Sequence, residues 1–397
     1  HLACESDEGI GMSVQLGEAL ILPRSDRSHI TEWRRSVDWP ILVSALILIG
    51  LGLMLSLAAG PPAAERMGKA DSFHFVQRHC FFAAVAVITM FGASLLTRDW
   101  VRRISALVFC GSFVLLAAIL IVGHEAKGAQ RWIEFGGFTL QPSEFAKPAL
   151  IILAGWLLAQ RQLFPGGPWA VVALVFYVVT LGLLLLQPDV GQSALLTAAF
   201  IVTFFVSGLP WRWAVMFFGG GLGLSAALYA LLPHVRFRVN SFINPSSYDT
   251  YQIDKASQAI GRGGIFGAGP GEGTVKTELP DAHTDFIYAV LSEEFGYVAA
   301  LALIGLYVFV CWRGFRGASR LRDPYPRAAA AGLFALFGLQ AAINIGVNVS
   351  LLPPKGMTLP FISYGGSSML GIALTLGLAL ALIRRQSSTT WRPDGRP

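Results

Sequence analysis

The sequence predicts an all-α integral membrane protein of about ten transmembrane helices, with a large extracytoplasmic loop between helices seven and eight. Three observations carry that prediction. The 397 residues are 54% hydrophobic and only 14% charged, with a mean hydropathy of +0.58, whereas soluble domains carry about 25% charged residues. From Pro40 the chain falls into apolar stretches long enough to cross about 30 Å of hydrocarbon. The connectors between them alternate between arginine-rich and arginine-poor.

The elements follow in order. Residues 1–39 are polar and mixed in charge, which predicts a flexible cytoplasmic tail with a translation start at Met12. No cleavable signal is expected, because the first apolar run is too long and too late. The predicted spans are 40–60, 75–97, 103–123, 142–160, 168–187, 190–208, 211–232, 286–311, 327–350 and 365–384. They build a membrane domain over 40–385, with 233–285 as its large outer loop and 386–397 as a second cytoplasmic tail. Lipid offers the backbone no partners, so each span must be a helix.

Charge sets the orientation. With the N-terminus inside, the short inner connectors hold Arg98, Arg102 and Arg103, then Arg161, Arg212, and Arg313 to Arg327, while every lysine falls outside or at an outer helix end. This is the positive-inside pattern and predicts both termini in the cytoplasm. It also explains the net charge of +6 without a nucleic-acid partner. Cys4, Cys80, Cys110 and Cys311 form no C-x-x-C pair. The last three lie in or beside apolar segments and read as small buried hydrophobes, not as metal ligands.

The outer side holds the chemistry. Loop 233–285 is long for a compact bundle, and such loops are usually functional. It ends in Leu279-Pro280-Asp281-Ala282-His283-Thr284-Asp285. Thr284 or Asp285 can cap the next helix, or Asp285 can stand at the water–lipid boundary as a general base for a substrate hydroxyl. Glu144 and Lys147 are three apart and share a helical face. They form either a local ion pair or, with Arg131, part of a cationic seat for a phosphate-bearing lipid. Asp189 with Gln192 has the spacing of a capping box. The last outer loop, from Pro353 through Lys355 to Ser363, Ser367 and Ser368, is rich in proline, glycine and hydroxyls. It is either a rigid linker or an irregular chain lining a wet cavity. Glu293 and Glu294 lie within the eighth span, and Gln340, Asn344 and Asn348 recur every four residues on the ninth. Intramembrane acids usually face a bundle interior. Helical phase turns both glutamates away from Asp285, towards packing or a cavity wall.

Five stretches, GAQRWIEFGGFTLQPSEFAK, QPDVGQS, RFRVNSFINP, GAGPGEGTVKTELPDAHTDFIYAVLSEEFG and LLPPKGMTLPFISYGGSS, occur in that order along the membrane domain. On these the chain resembles the SEDS family, and its division branch more than its elongation branch. The resemblance implies a ten-helix peptidoglycan glycosyltransferase of the bacterial plasma (inner) membrane at the division septum, joining lipid II units on the outer face. It implies Asp285 as the essential carboxylate and Glu144 and Lys147 as cavity residues, with the serine-rich loop nearby. It also implies a class B penicillin-binding protein transpeptidase of the FtsI type as partner, with other divisome membrane proteins.

The expected substrate-binding set is Arg131, Glu144, Lys147, His283, Thr284, Lys355, Ser363, Ser367 and Ser368. No metal-ligand spacing is present and no tightly bound cofactor is expected; Mg²⁺ or Mn²⁺ would come with the substrate diphosphate. The rival readings are a lipid II translocase using the polar face of the ninth helix, an elongation-type polymerase, and a scaffold without catalysis.

Overall fold

A computed structural model describes residues 29–122, 124–126, 129–135, 138–209, 211–231, 236, 240, 251–353 and 356–384. The expected tails 1–39 and 386–397 lie largely outside these, as do part of loop 233–285 and Lys355. Residues 38–384 form one compact unit; α1 (His29–Ser36) belongs to a second.

Each of the ten apolar stretches coincides with a helix: α2 (Trp39–Arg66), α3 (His74–Leu95), α4 (Arg98–Val122), α5 (Ser143–Leu163), α6 (Trp169–Leu186), α7 (Val190–Val206), α8 (Trp211–Leu231), α10 (Ile287–Ser319), α11 (Pro324–Asn348) and α12 (Gly366–Ile383). Among the described residues, seven of these are long and apolar enough to cross a membrane: α2, α3, α4, α6, α10, α11 and α12. The apolar α7 is shorter, at 17 residues, and α5 carries Glu144 and Lys147 in its first turns. Starts and stops follow local chemistry. Asp38 caps α2 by accepting from the Ile41 amide, with Pro40 in the first turn. The same carboxylate takes the Arg313 guanidinium at 2.6 Å.

α11 and α12 are the centre of the bundle. In their most apolar windows 72% and 78% of residues are buried, against 22–50% for the other membrane-length helices, which present side chains to lipid. Small residues let the helices close up. A methyl group at Gly155 would stand 2.9 Å from the Ala329 backbone, and one at Gly377 would stand 2.6 Å from the Met90 carbonyl. Cys80 and Cys110 are exposed on the helix surface, so the expectation that they are buried is corrected. Thiols on a lipid-facing surface have no desolvation cost to drive them inward.

Two features depart from an all-helical plan. Residues 124–140 form a three-stranded antiparallel sheet, β1 (His124–Ala126), β2 (Ala129–Phe135) and β3 (Phe138–Leu140), with Ile133 opposite Leu140. α10 is broken at Gly296, whose φ of 74° and ψ of −176° suit glycine alone. The chain from Gly263 to Gly269 docks into the break. Ala268 and Gly269 donate to the Glu293 and Glu294 carbonyls, and Tyr297 donates to the Gly264 carbonyl. A methyl group at Gly296 would stand 2.4 Å from the Gly267 nitrogen. Before the docked segment runs the amphipathic α9 (Tyr251–Gly263), which packs on α10.

Gly296→Ala is therefore expected to destabilise the protein by about 2–3 kcal/mol. Gly305→Ala, on the same helix with open space around it, should be neutral or slightly stabilising. Thermal unfolding in detergent compares the two, and equal midpoints would contradict the docking.

Candidate functional site

The segment before α10 is a tight turn gathered on one carbonyl. Asp281, at φ 54°, accepts at its carbonyl from the amides of Thr284, Asp285 and Phe286 at 3.0, 3.0 and 3.3 Å, and from the Thr284 hydroxyl. The N-cap position is Phe286, which has no side-chain oxygen. The capping oxygen for α10 comes instead from Asn348 on α11, which accepts from the Ala289 amide at 3.1 Å.

The carbonyls of the turn are met by neighbours. Tyr364 donates its amide to His283 at 2.9 Å, and Ser363 its hydroxyl to Thr284 at 2.5 Å. Asn344 and Asn348 donate to the Asp285 carbonyl at 2.9 and 3.0 Å. The loop opposite is tied to the same helix. Asn344 donates to the Met357 carbonyl, and Gln340 to Thr358, whose hydroxyl pairs with Ser368 at 2.5 Å. Turn and loop are thus one hydrogen-bonded body resting on α11.

Asp285 is partly exposed. A methyl group at Gly356 would stand 3.6 Å from its Oδ2, so the carboxylate lies against the loop just after position 355. His283 is only 4% exposed and packs on the rings of Phe75 and Tyr364 at 4.6 and 5.6 Å. Ser363, Ser367 and Ser368 are buried, and the Ser367 hydroxyl has no hydrogen-bond partner among the described residues.

A second cluster sits between α5 and α7. Lys147 donates to Glu144 at 3.0 Å and to Gln192 at 2.5 Å, and Gln192 donates to Glu144 at 2.8 Å. All three are under 5% exposed. Arg131, on β2, donates to the Gln187 and Pro188 carbonyls and faces Asp189 at 3.6 Å. Asp189 caps α7 through the Gln192 amide, as its spacing predicts. Burial pushes the Asp189 carboxyl above its ordinary range, while Arg131, the Gln192 amide and Lys147 draw it back down.

Beside Glu144 and Lys147, a cavity of about 10 Å³ is also lined by Gln340 and Thr375. It has room for about one water. Sequence reasoning offered an ion pair or a phosphate seat for Glu144 and Lys147; this geometry presents the ion pair, and Arg131 holds a turn.

Sequence reasoning missed two groups. Glu293 accepts the Val275 and Lys276 amides at 2.8 and 2.9 Å, and Glu294 pairs with the Lys276 ammonium, so both acids pin the outer loop. On the rim, exposed Arg66 donates to the Leu279 carbonyl at 2.8 Å, and Arg78 hydrogen-bonds the Tyr364 hydroxyl. Burial raises the Tyr364 hydroxyl's pKa, and Arg78 opposes this. Arg66 and Arg78 stand at the helix ends that the sequence places outside, against the positive-inside bias, and that anomaly was the available signal.

A mainly helical membrane protein with a partly exposed carboxylate on a braced turn at one end of its bundle is the class that these features define. The chain belongs to the FtsW/RodA/SpoVE family: residues 38–388 match the family described as cell cycle protein. It is 48% identical over 363 residues to the probable peptidoglycan glycosyltransferase FtsW of Caulobacter vibrioides (strain NA1000 / CB15N), covering 91% of this chain and 93% of that protein. It is 34% identical over 367 residues to the stage V sporulation protein E of Bacillus subtilis (strain 168), covering 89% and 99%. Among solved structures, a chain described under structural coordination of polymerization and crosslinking by a peptidoglycan synthase complex superposes with a TM-score of 0.72 at 29% identity, covering 87% and 97%. The rod shape determining protein RodA of Thermus thermophilus superposes with a TM-score of 0.66 at 27% identity, covering 88% and 98%.

Removing one partner of a buried pair strands the other charge. Lys147→Met is expected to cost about 3–5 kcal/mol, and adding Glu144→Gln should recover most of it. Unfolding of the single and double variants in detergent measures this. A double variant as unstable as the single one would mean that the pair is not a closed unit.

Proposed function

We propose that this chain is a peptidoglycan glycosyltransferase that polymerises lipid II into β-1,4 glycan strands, with Asp285 as its general base. The observation that carries the reading is the placement of Asp285. It is a partly exposed carboxylate on a non-helical turn, set against an irregular loop at the end of the bundle that bears Arg66 and Arg78.

Asp285 takes the proton from the 4-hydroxyl of the acceptor N-acetylglucosamine. That oxygen forms the new bond to the anomeric carbon of the donor N-acetylmuramic acid. The bond to undecaprenyl pyrophosphate breaks, and the leaving group departs with the electron pair. One displacement converts an α-linked donor to a β-linked product. A base of this kind contributes typically 10²–10⁴-fold.

The departing diphosphate needs cations at the rim. Arg66, whose described bonds go to carbonyls alone, suits that role better than Arg131 and Lys147, whose donors are already spent on Asp189, backbone carbonyls, Glu144 and Gln192; Arg78 stands beside it on Tyr364, and Lys355 lies outside the described residues. A Mg²⁺ or Mn²⁺ ion, in this reading, arrives on the substrate diphosphate. Glu144 and Lys147 act as an electrostatic floor beneath the site. The working form is a complex with a class B penicillin-binding protein transpeptidase at the septum, with both termini in the cytoplasm.

The translocase reading loses its main support, because the amides of Gln340, Asn344 and Asn348 are spent on the turn and the loop. The division branch is favoured over the elongation branch by the 48% identity to a division-type relative.

Asp285→Asn is expected to abolish strand formation from lipid II in the reconstituted transpeptidase complex while leaving the protein folded in the membrane. Normal strand synthesis by this variant would defeat the assignment. Arg66→Ala with Arg78→Ala should raise KM for lipid II about tenfold or more, whereas an unchanged KM would move the diphosphate elsewhere.

A further inference from the structure

In an α-helix the amide of one residue bonds the carbonyl four residues earlier. For Ala289, in the first turn of α10, that carbonyl is Asp285. The structure interrupts this bond with a side chain. Asn348 accepts from the Ala289 amide through Oδ1 at 3.1 Å and donates through Nδ2 to the Asp285 carbonyl at 3.0 Å. One carboxamide, fully buried, meets both groups of that bond, and the Ala289 amide is shared with the Phe286 carbonyl at 3.0 Å. Its orientation is dictated by its partners, since the reverse would set donor against donor. Its Nδ2 also donates to the Asn344 carbonyl at 2.9 Å, which fixes the rotamer on α11. Asn344 adds a second donor to the Asp285 carbonyl.

We infer that Asn348 is the positioning residue for Asp285: its amide is spliced into the first turn of α10 and holds Asp285 off the helix. The inference rests on the reading of Asp285 as the base. Without the splice, the Ala289 amide can shift from the Phe286 carbonyl, to which it also donates at 3.0 Å, to the Asp285 carbonyl, which Asn344 alone then meets. Phe286, at φ −111° and ψ 22°, would then join the helix and wind Asp285 onto it. At 100° per residue, one or two added residues swing the carboxylate around the helix axis and away from Gly356.

The backbone groups that Asn348 leaves behind satisfy each other in that event. Loss of the amide therefore acts on catalysis far more than on stability.

The test is the transpeptidase complex in liposomes with lipid II as substrate, comparing wild type, Asn348→Leu and Asp285→Asn. Asn348→Leu keeps the size and removes the amide. Its kcat is expected to fall about 100-fold, as a misplacement of about 1 Å can cost. KM should stay within about twofold and the unfolding midpoint within about 3 °C. A kcat within threefold of wild type overturns the inference. So does a loss that appears in KM alone, or one matched by a lowered folded fraction. Where Asn348→Leu does not accumulate in membranes, Asn348→Ser carries the same measurement. An active Asp285→Asn fells the base reading and this inference with it. An inactive Asp285→Asn beside a fully active Asn348→Leu fells this inference alone.

Discussion

Lipid cannot hydrogen-bond a peptide group, and that constraint organises the end of the bundle that carries Asp285. Two stretches of irregular chain lie against the bundle there, the turn before α10 and the loop before α12. Each is a liability unless its amides and carbonyls find partners. The central helix α11 supplies them from three side-chain amides one turn apart, Gln340, Asn344 and Asn348. These positions are buried and would be unfavourable for a polar side chain without partners. The helix meets that cost with the two irregular segments that flank Asp285.

The same rule governs the break in α10. Gly296 leaves the carbonyls of Glu293 and Glu294 and the amides beyond it unmet by the helix, and the chain from Gly263 to Gly269 meets them. Backbone passes so close to backbone that side chains are excluded. A methyl group at Gly263 would stand 1.9 Å from the Ser292 carbonyl, and one at Gly267 would stand 2.1 Å from that of Glu294. Glu293 and Glu294 complete the docking with charge-assisted bonds to Lys276 and its neighbours. The outer loop is thereby fastened to the helix that begins just after Asp285.

What could be read in advance follows from the range of the interactions involved. Helix positions were legible because hydrophobic length is a local property of the chain. The Asp189 cap was legible because it spans three residues. The pairing of Glu144 with Lys147 was one of two open readings for the same reason, and Gln192, 45 residues from Lys147, was outside its reach. The sheet at 124–140 was hidden because its strands are short. The splice at Asn348 joins groups 59 and 63 residues apart, and nothing in a four-residue recurrence of amides says what they face. Asp285 was legible as a carboxylate at a boundary. Its exclusion from the helix was not, since a short oxygen side chain in that place reads equally as a cap.

The two kinds of cation in this chain also sort by cost. A lysine buried within a membrane bundle persists only with a carboxylate beside it, and Lys147 and Lys276 each have one. Such a lysine is poorly placed to greet an anionic ligand. Turning towards the newcomer would strand its own glutamate, at a cost of about 3–5 kcal/mol. The Arg66 guanidinium at the rim donates to the Pro62 and Leu279 carbonyls, uncharged partners that an anion outcompetes. On the proposed reading, a diphosphate is therefore held at the edge of the bundle, while the buried pairs of Lys147 and Lys276 serve packing.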